Sequence, residues 1–386
     1  MAGVALLGAG IFAREQHLPA IQATPKLALK AIYSRRRHAA AALAALARDP
    51  AGVDVYYDVD VDDVDATGDT VAATSAAGSA ADASLDALLR RADIAAVIVA
   101  LPIAHQPRVV ERALRAGKHV LSEKPVAGDA AEGKRLVERY EALLPLPSPS
   151  PSPSLPPSGG RPLWGVAENY RFMDSARYAA QRAREIGGRL VAFRLMRYGF
   201  VAEGNKYFAT EWRKIPDYQG GFLLDGGVHF VAALRLLLNA VGEEIAQVAG
   251  FSALLEQRLL PVDTVHAVAV TRRGVAGTVA MSFGTEFKAG TEVELVTTNG
   301  AVLWTPDEVS TVARSKDGSG REQATRRFVY STGVANEVAA FASAIETGVL
   351  EKGLSPREAL KDLEVVQGLL MSGAEGGKVA AVASQA

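Results

Sequence analysis

The chain has 386 residues, 49% hydrophobic and 22% charged, which is enough for more than one core and, by length, for two domains. Lys and Arg number 42 against 43 Asp and Glu, so a net charge of −1 gives no general field toward nucleic acid or an anionic membrane. The absence of cysteine excludes disulfides, thiolate nucleophiles and Cys-based metal sites, and leads us to expect a reducing, cytoplasmic compartment.

The opening stretch "MAGVALLGAGIF" is apolar, yet no basic residue precedes its apolar run and a glycine motif interrupts it, so it reads as a first strand rather than a signal peptide. The run "IAAVIVALPIA" is too short to span a bilayer and contains Pro102, and no membrane association is expected. Val4–Leu7, Ala28–Tyr33, Ile94–Leu101 and His119–Ser122 read as buried strands, alternating with amphipathic stretches such as Pro107–Ala116. That alternation predicts a doubly wound parallel sheet of Rossmann type over residues 1–125. Beyond it, strand-like runs at Leu190–Tyr198, Val265–Thr271, Gly277–Phe283, Glu292–Thr297 and Ala301–Trp304 follow one another with turn signals. They predict a second, α+β domain over 126–386 with a large, mostly antiparallel open sheet. Helices at Ala335–Thr347 and Ser355–Met371 close the chain, the latter with Pro356 at its first helical position. Two insertions are expected, an Asp/Ala/Thr-rich one at 59–83 and a Pro/Ser tract at 145–162 that should be extended and solvated.

"VALLGAGIFARE" sets Gly8, Gly10, Ile11, Phe12 and Ala13 between a strand and a helix as G-x-G-x-x-A. The first glycine permits the tight turn, the second lets backbone approach a pyrophosphate, and Ala13 lets helix and strand pack closely. The second strand ends in "AIYSRRRHAA": Ser34, Arg35, Arg36 and Arg37 stand where an acidic residue would bind the ribose of NAD. Arginines suit a 2′-phosphate, which favours NADP over NAD, while a solvated basic turn is the competing reading.

In "GGFLLDGGVHFVAALRLLL", Asp225 and His229 lie four residues apart, on one face of an apolar helix. Each of Gly226 and Gly227 costs about 1 kcal/mol of helix stability relative to alanine. We expect them to clear backbone for a ligand ring or sugar beside an Asp–His pair; the alternative is a structural Asp–His contact with glycines for tight packing. His229 titrates near neutrality in the absence of perturbation and suits general acid/base work, with Asp225 orienting its ring or holding a substrate hydroxyl. The remaining histidines show no ligand spacing, and no metal is expected.

"AGKHVLSEKP" together with "GGFLLDGGVH" and the glycine turn resembles the Gfo/Idh/MocA oxidoreductases, the family of glucose–fructose oxidoreductase and inositol dehydrogenase, over nearly the whole chain outside the insertions. Phrases such as "VAENYRF" are similar to a fungal-type, NADP-linked branch. The resemblance implies Lys124, Asp225 and His229 as the catalytic set, with Lys124 hydrogen-bonding the substrate oxygen. It implies cofactor contacts at Leu101, Pro102, Gln106, Glu123 and Lys124, Gln106 standing where relatives have a histidine. Arg171, Trp212 and Arg213 are candidate substrate-binding residues, each equally compatible with a structural role. The implied activity is NADP(H)-dependent hydride transfer between nicotinamide and a secondary alcohol or carbonyl carbon of a sugar-, polyol- or related small carbonyl substrate. An NAD-retaining glycosidase and a non-catalytic NADP(H) sensor are the alternatives. Relatives associate through the open sheet, which implies a homodimer or homotetramer.

Overall fold

The computed structural model describes residues 1–58, 83–143, 161–216, 218–315 and 319–382. Residues 59–82 and 145–160 of the two expected insertions lie outside the described residues. The strands are β1 (Ala2–Leu7), β2 (Leu27–Tyr33), β3 (Asp54–Tyr56), β4 (Ala96–Val99), β5 (His119–Glu123), β6 (Trp164–Ala167), β7 (Leu190–Tyr198) and β8 (Ile245–Ala253). They continue with β9 (Thr264–Thr271), β10 (Ala276–Ser282), β11 (Gly290–Thr297), β12 (Gly300–Trp304), β13 (Glu308–Arg314), β14 (Arg321–Arg327) and β15 (Ala380–Ala381). The helices are α1 (Leu18–Ala23), α2 (Arg37–Ala44), α3 (Leu85–Arg90), α4 (Gln106–Arg115) and α5 (Ala130–Ala142), followed by α6 (Asp174–Ile186), α7 (Glu211–Lys214), α8 (Gly221–Ala240), α9 (Val334–Thr347) and α10 (Pro356–Ala374).

The chain forms two compact units. The first comprises Met1–Glu123, Arg135–Ala167 and Val334–Pro356; the second comprises Lys124–Lys134, Glu168–Gly333 and Arg357–Ala386. Thus 135–167 and 334–356, expected with the second domain, cluster with the first. For 135–167 the physical reason is β6: "WGVA" pairs in parallel with β5, from Val120↔Trp164 to Glu123↔Ala167, and extends the first sheet; for 334–356 it is the packing of α9 against α1.

The first unit is a parallel sheet ordered β3-β2-β1-β4-β5-β6, the strand order of a dinucleotide-binding fold. Its central strands are apolar at almost every position because both faces are covered: Val4–Leu7 and Ala96–Val99 are fully buried. Helical residues run from 11 to 23 after β1, with a π-helical turn at Ala13–His17. Pro19 has no N–H for an i−4 carbonyl, and a π-turn just before it is one way a helix accommodates that loss.

The second unit is built on a mixed sheet ordered β14-β13-β12-β11-β7-β10-β9-β8-β15, antiparallel except for the β7–β10 pair. Alternation along the strands sends Phe193, Leu195, Val279, Met281, Val293 and Leu295 to the face that α6 and α8 cover. Helix α8 is long and apolar enough to cross a membrane, but 78% of its most apolar window is buried inside the protein, so its apolarity serves the core.

Candidate active site

Gly8 has φ 114°, and a Cβ there would lie 2.2 Å from the Ala100 carbonyl oxygen, so only glycine can make this turn. At Gly10 an added Cβ would meet nothing within 4 Å: the backbone faces open space where the glycine motif presents a phosphate cradle. Ala13 is 1% exposed, packed as a small third residue should be. Ser34, half-buried, and Arg35 and Arg36, both exposed, follow β2, and Arg36 is the N-cap of α2 with no side-chain hydrogen bond to it. Leu101 and Pro102 follow β4, and Gln106 starts α4. Gln106 is 1% exposed and both of its amide atoms lack a hydrogen-bond partner, which is the mark of a polar group built to meet something else. These residues fit a dinucleotide.

Glu123 closes β5. Its Oε1 lies 2.7 Å from Nε2 of the fully buried His17, whose ring meets Phe12 edge-on at 5.3 Å. The helix after the glycine turn is thereby tied to the strand that precedes Lys124. His17 carries no ligand-spacing signal in the sequence, and this contact was not anticipated.

In the second unit, Lys124 Nζ donates to Asp225 Oδ1 at 3.0 Å and to the Asp225 carbonyl at 2.9 Å. Arg213 Nε donates to Asp225 Oδ2 at 2.8 Å. Burial opposes charge on Asp225, but Lys124 and Arg213 outweigh it and hold the carboxyl well below the usual carboxylate range. No hydrogen bond joins Asp225 to His229, contrary to the expectation from their i,i+4 spacing. Two cations occupy both Asp225 oxygens, and the histidine has a different partner.

That partner is Glu168, which sequence reasoning missed. His229 Nδ1 lies 2.8 Å from Glu168 Oε1, and the same oxygen accepts the Tyr170 N–H at 3.2 Å. Glu168 caps the 3₁₀ turn Asn169–Phe172, and the Tyr170 ring from that turn stacks on the His229 imidazole at 4.8 Å. One short turn therefore grips the imidazole by its edge and by its face. Glu168 is 1% exposed; burial disfavours its charge, but His229, then Arg171 and Lys124, keep its pKa lowered. An ionised Glu168 makes Nδ1 the protonated nitrogen and leaves Nε2 of the neutral ring free to accept a proton. The only sequence signal for Glu168 is its place directly after the apolar strand "WGVA".

The other candidates are placed differently. Arg171 is 5% exposed and held by the Asp362 carboxylate and the Glu358 carbonyl, alongside Arg235, in a buried ion network rather than on a surface open to substrate. Arg213 stacks over Trp212 at 3.9 Å, and Trp212 is half-buried. The glycines of α8 also depart from expectation. A Cβ on Gly226 would lie 2.7 Å from Phe283 Cζ, and one on Gly227 would meet Met281 at an ordinary 3.6 Å. The close approach observed at Gly226 is that of the Phe283 ring, one residue past β10.

A parallel sheet of this order, opening with this turn, defines a dinucleotide-binding protein. Residues 2–143 match the oxidoreductase family with NAD-binding Rossmann fold, and residues 184–381 match the C-terminal alpha/beta domain of the same family. The chain belongs to the Gfo/Idh/MocA oxidoreductases and is a nicotinamide-dependent dehydrogenase or reductase. It is 47% identical to the dehydrogenase FPY6 of Fusarium mangiferae over 379 residues, 98% of each chain. Among solved structures it is similar to an oxidoreductase of Thermotoga maritima, with 26% identity, a TM-score of 0.76 and 99% of each chain covered. It is also similar to a 3-ketoreductase of Actinomadura kijaniata solved with NADP and TDP-benzene, with 23% identity, a TM-score of 0.68, and 96% and 97% of the two chains covered.

Proposed function

We propose that the chain is an NADP(H)-dependent oxidoreductase that interconverts a secondary alcohol and a carbonyl group on a sugar-, polyol- or related small carbonyl substrate. The observation that carries this reading is the pair of hydrogen-bonded couples anchored on α8, Lys124–Asp225 and His229–Glu168. A bound nicotinamide supplies the hydride acceptor or donor. Gly8, Gly10, Ile11, Phe12 and Ala13 would hold its pyrophosphate, and Leu101, Pro102, Gln106 and Glu123 would stand beside it.

His229 exchanges the proton of the substrate hydroxyl at Nε2, with Nδ1 kept protonated against Glu168. Lys124 donates a hydrogen bond to the same substrate oxygen and stabilises the alkoxide character that develops there. Asp225 fixes the ammonium in place through its carboxylate and its carbonyl. The preference for NADP rests on Ser34, Arg35 and Arg36. Cations at the start of a helix oppose its dipole, α2 has no acidic residue in its first turn, and a 2′-phosphate would relieve that repulsion.

The cysteine-free, nearly neutral composition supports a cytoplasmic protein acting on a small molecule. Strand register puts Phe251 (68% exposed), Val268 (46% exposed), Met196 and the Arg194–Glu292 ion pair on the sheet face opposite α6 and α8. This face supports a homodimer or homotetramer. The test of function is titration with NADPH and NADH, then a sugar, polyol and carbonyl panel followed by nicotinamide absorbance. Tightly retained NAD with no net change in coenzyme during turnover would refute the reading in favour of a glycosidase.

A further inference from the structure

An open pocket of about 620 Å³ lies in the second unit, lined in part by Tyr170, Arg197, Thr291, Glu292, Asp307 and Tyr330. Tyr170 joins it to the catalytic histidine, since its ring stacks on His229 while its residue lines this pocket. Arg197 is the unexpected member. Strand alternation continues the core row Phe193–Leu195 into Arg197, opposite Thr291 of β11, where an apolar residue would be ordinary. Its guanidinium lies over the rings of Phe230 and Phe283, and one Nη donates to the Tyr198 carbonyl. Its Nε is buried with no partner, and among the described residues no carboxylate forms an ion pair with it. The fully buried guanidiniums Arg171 and Arg235 of this unit do have carboxylates.

Burial lowers the pKa of Arg197, and it raises that of the Tyr170 phenol, to which Tyr330 also contributes. The Tyr170 phenol is therefore a donor in the neutral range. A half-buried cation flanked by two phenols, with no protein anion, is built to receive an anion. The charge balance at the mouth narrows the class. Asp307 (accepting from Thr305) would repel a dianion but accept hydrogen bonds from hydroxyl groups.

We propose that this pocket is an acid-group subsite: the substrate is a hydroxylated carboxylate of the uronic- or aldonic-acid kind, its monoanionic carboxylate held by Arg197 with Tyr170 and Tyr330. The proposal deepens the functional reading above and rests on it for the chemistry at His229, but its test needs no turnover. Glucuronate, galacturonate and mannuronate are compared with the corresponding neutral aldoses by calorimetry on the protein saturated with NADPH, with glucose 6-phosphate as a dianionic control. At least one uronate should bind about 10–100-fold tighter than its aldose. Arg197→Gln should abolish that preference and leave aldose and NADPH binding unchanged. Tyr330→Phe, at a residue 62% exposed and so safe for folding, should reduce it partially. No preference for any uronate, a preference that survives Arg197→Gln, or tighter binding of glucose 6-phosphate than of the uronates would each overturn the proposal. Failure of the functional reading is distinguishable: Arg197-dependent binding would persist while no panel member changed nicotinamide absorbance.

Discussion

The His229 imidazole is held by Glu168, 61 residues away in sequence, through a 2.8 Å contact between Nδ1 and Oε1, while Asp225, one turn away on the same helix, serves Lys124 and Arg213 instead. Two carboxylates thus divide two tasks, one holding the imidazole and the other fixing the ammonium. If so, Glu168→Gln should cut kcat by about 10²-fold through loss of the tautomer and of ring orientation, with KM changed far less. Steady-state kinetics on the folded variant checks it, and a kcat equal to wild type would assign Glu168 a purely structural part.

Lys124→Ala and His229→Ala each remove a group proposed to touch the reacting oxygen. Turnover should fall by about 10²–10⁴-fold in either variant. NADPH binding, followed by fluorescence titration, should stay within a few-fold of wild type. Turnover at the wild-type rate in either variant would end the assignment.

Arg35 and Arg36 are exposed and sit where a 2′-phosphate would be read. Charge-assisted hydrogen bonds contribute about 1.5–3 kcal/mol each, so Arg35→Ala/Arg36→Ala should raise the NADPH Kd by at least about 10-fold and leave the NADH Kd almost unchanged. Equal effects on the two coenzymes would remove the argument for NADP.

Gly226→Ala brings a methyl group to 2.7 Å from Phe283 Cζ. That ring is 4% exposed and wedged between Phe222 and Phe230, so it has little room to move. Overpacking of this kind costs about 1–3 kcal/mol, against about 1 kcal/mol regained in helix propensity. The variant should therefore be less stable in urea denaturation, and adding Phe283→Leu should recover part of the loss. Additive losses in the double variant would show that the two positions do not press on each other.

Asp225 and Glu168 both have folded-state pKa values below their unfolded ones. Each therefore contributes stability that is fully present above the unfolded carboxylate range, near pH 4, and is lost as pH falls through the lower folded value. The contribution of these two carboxylates should be constant from about pH 5 to 7, and the unfolding midpoint should drop steeply below about pH 4. Asp225→Asn should flatten the acid limb and lower stability at pH 7 by about 3–5 kcal/mol, because Lys124 and Arg213 would keep their charges without a counterion. Urea midpoints measured across that pH range decide it.

The sequence alone was enough to show the fold class and the glycine turn, because both arise from local pattern. Apolar runs without alternation mark strands covered on both faces, and only a glycine tolerates the Gly8 turn. The family motifs likewise carried Lys124, Asp225 and His229 to attention. What the tertiary structure decided was the pairing. Spacing of four on a helix shows which side chains share a face, but not which charges from elsewhere arrive there. Asp225 went to two cations and His229 to an acid capping a distant turn, since buried charges settle with the strongest opposite partner in reach. Non-local pairing also decided that "WGVA" completes the first sheet, that Gly226 yields to Phe283, and that Arg197 faces an open pocket rather than solvent.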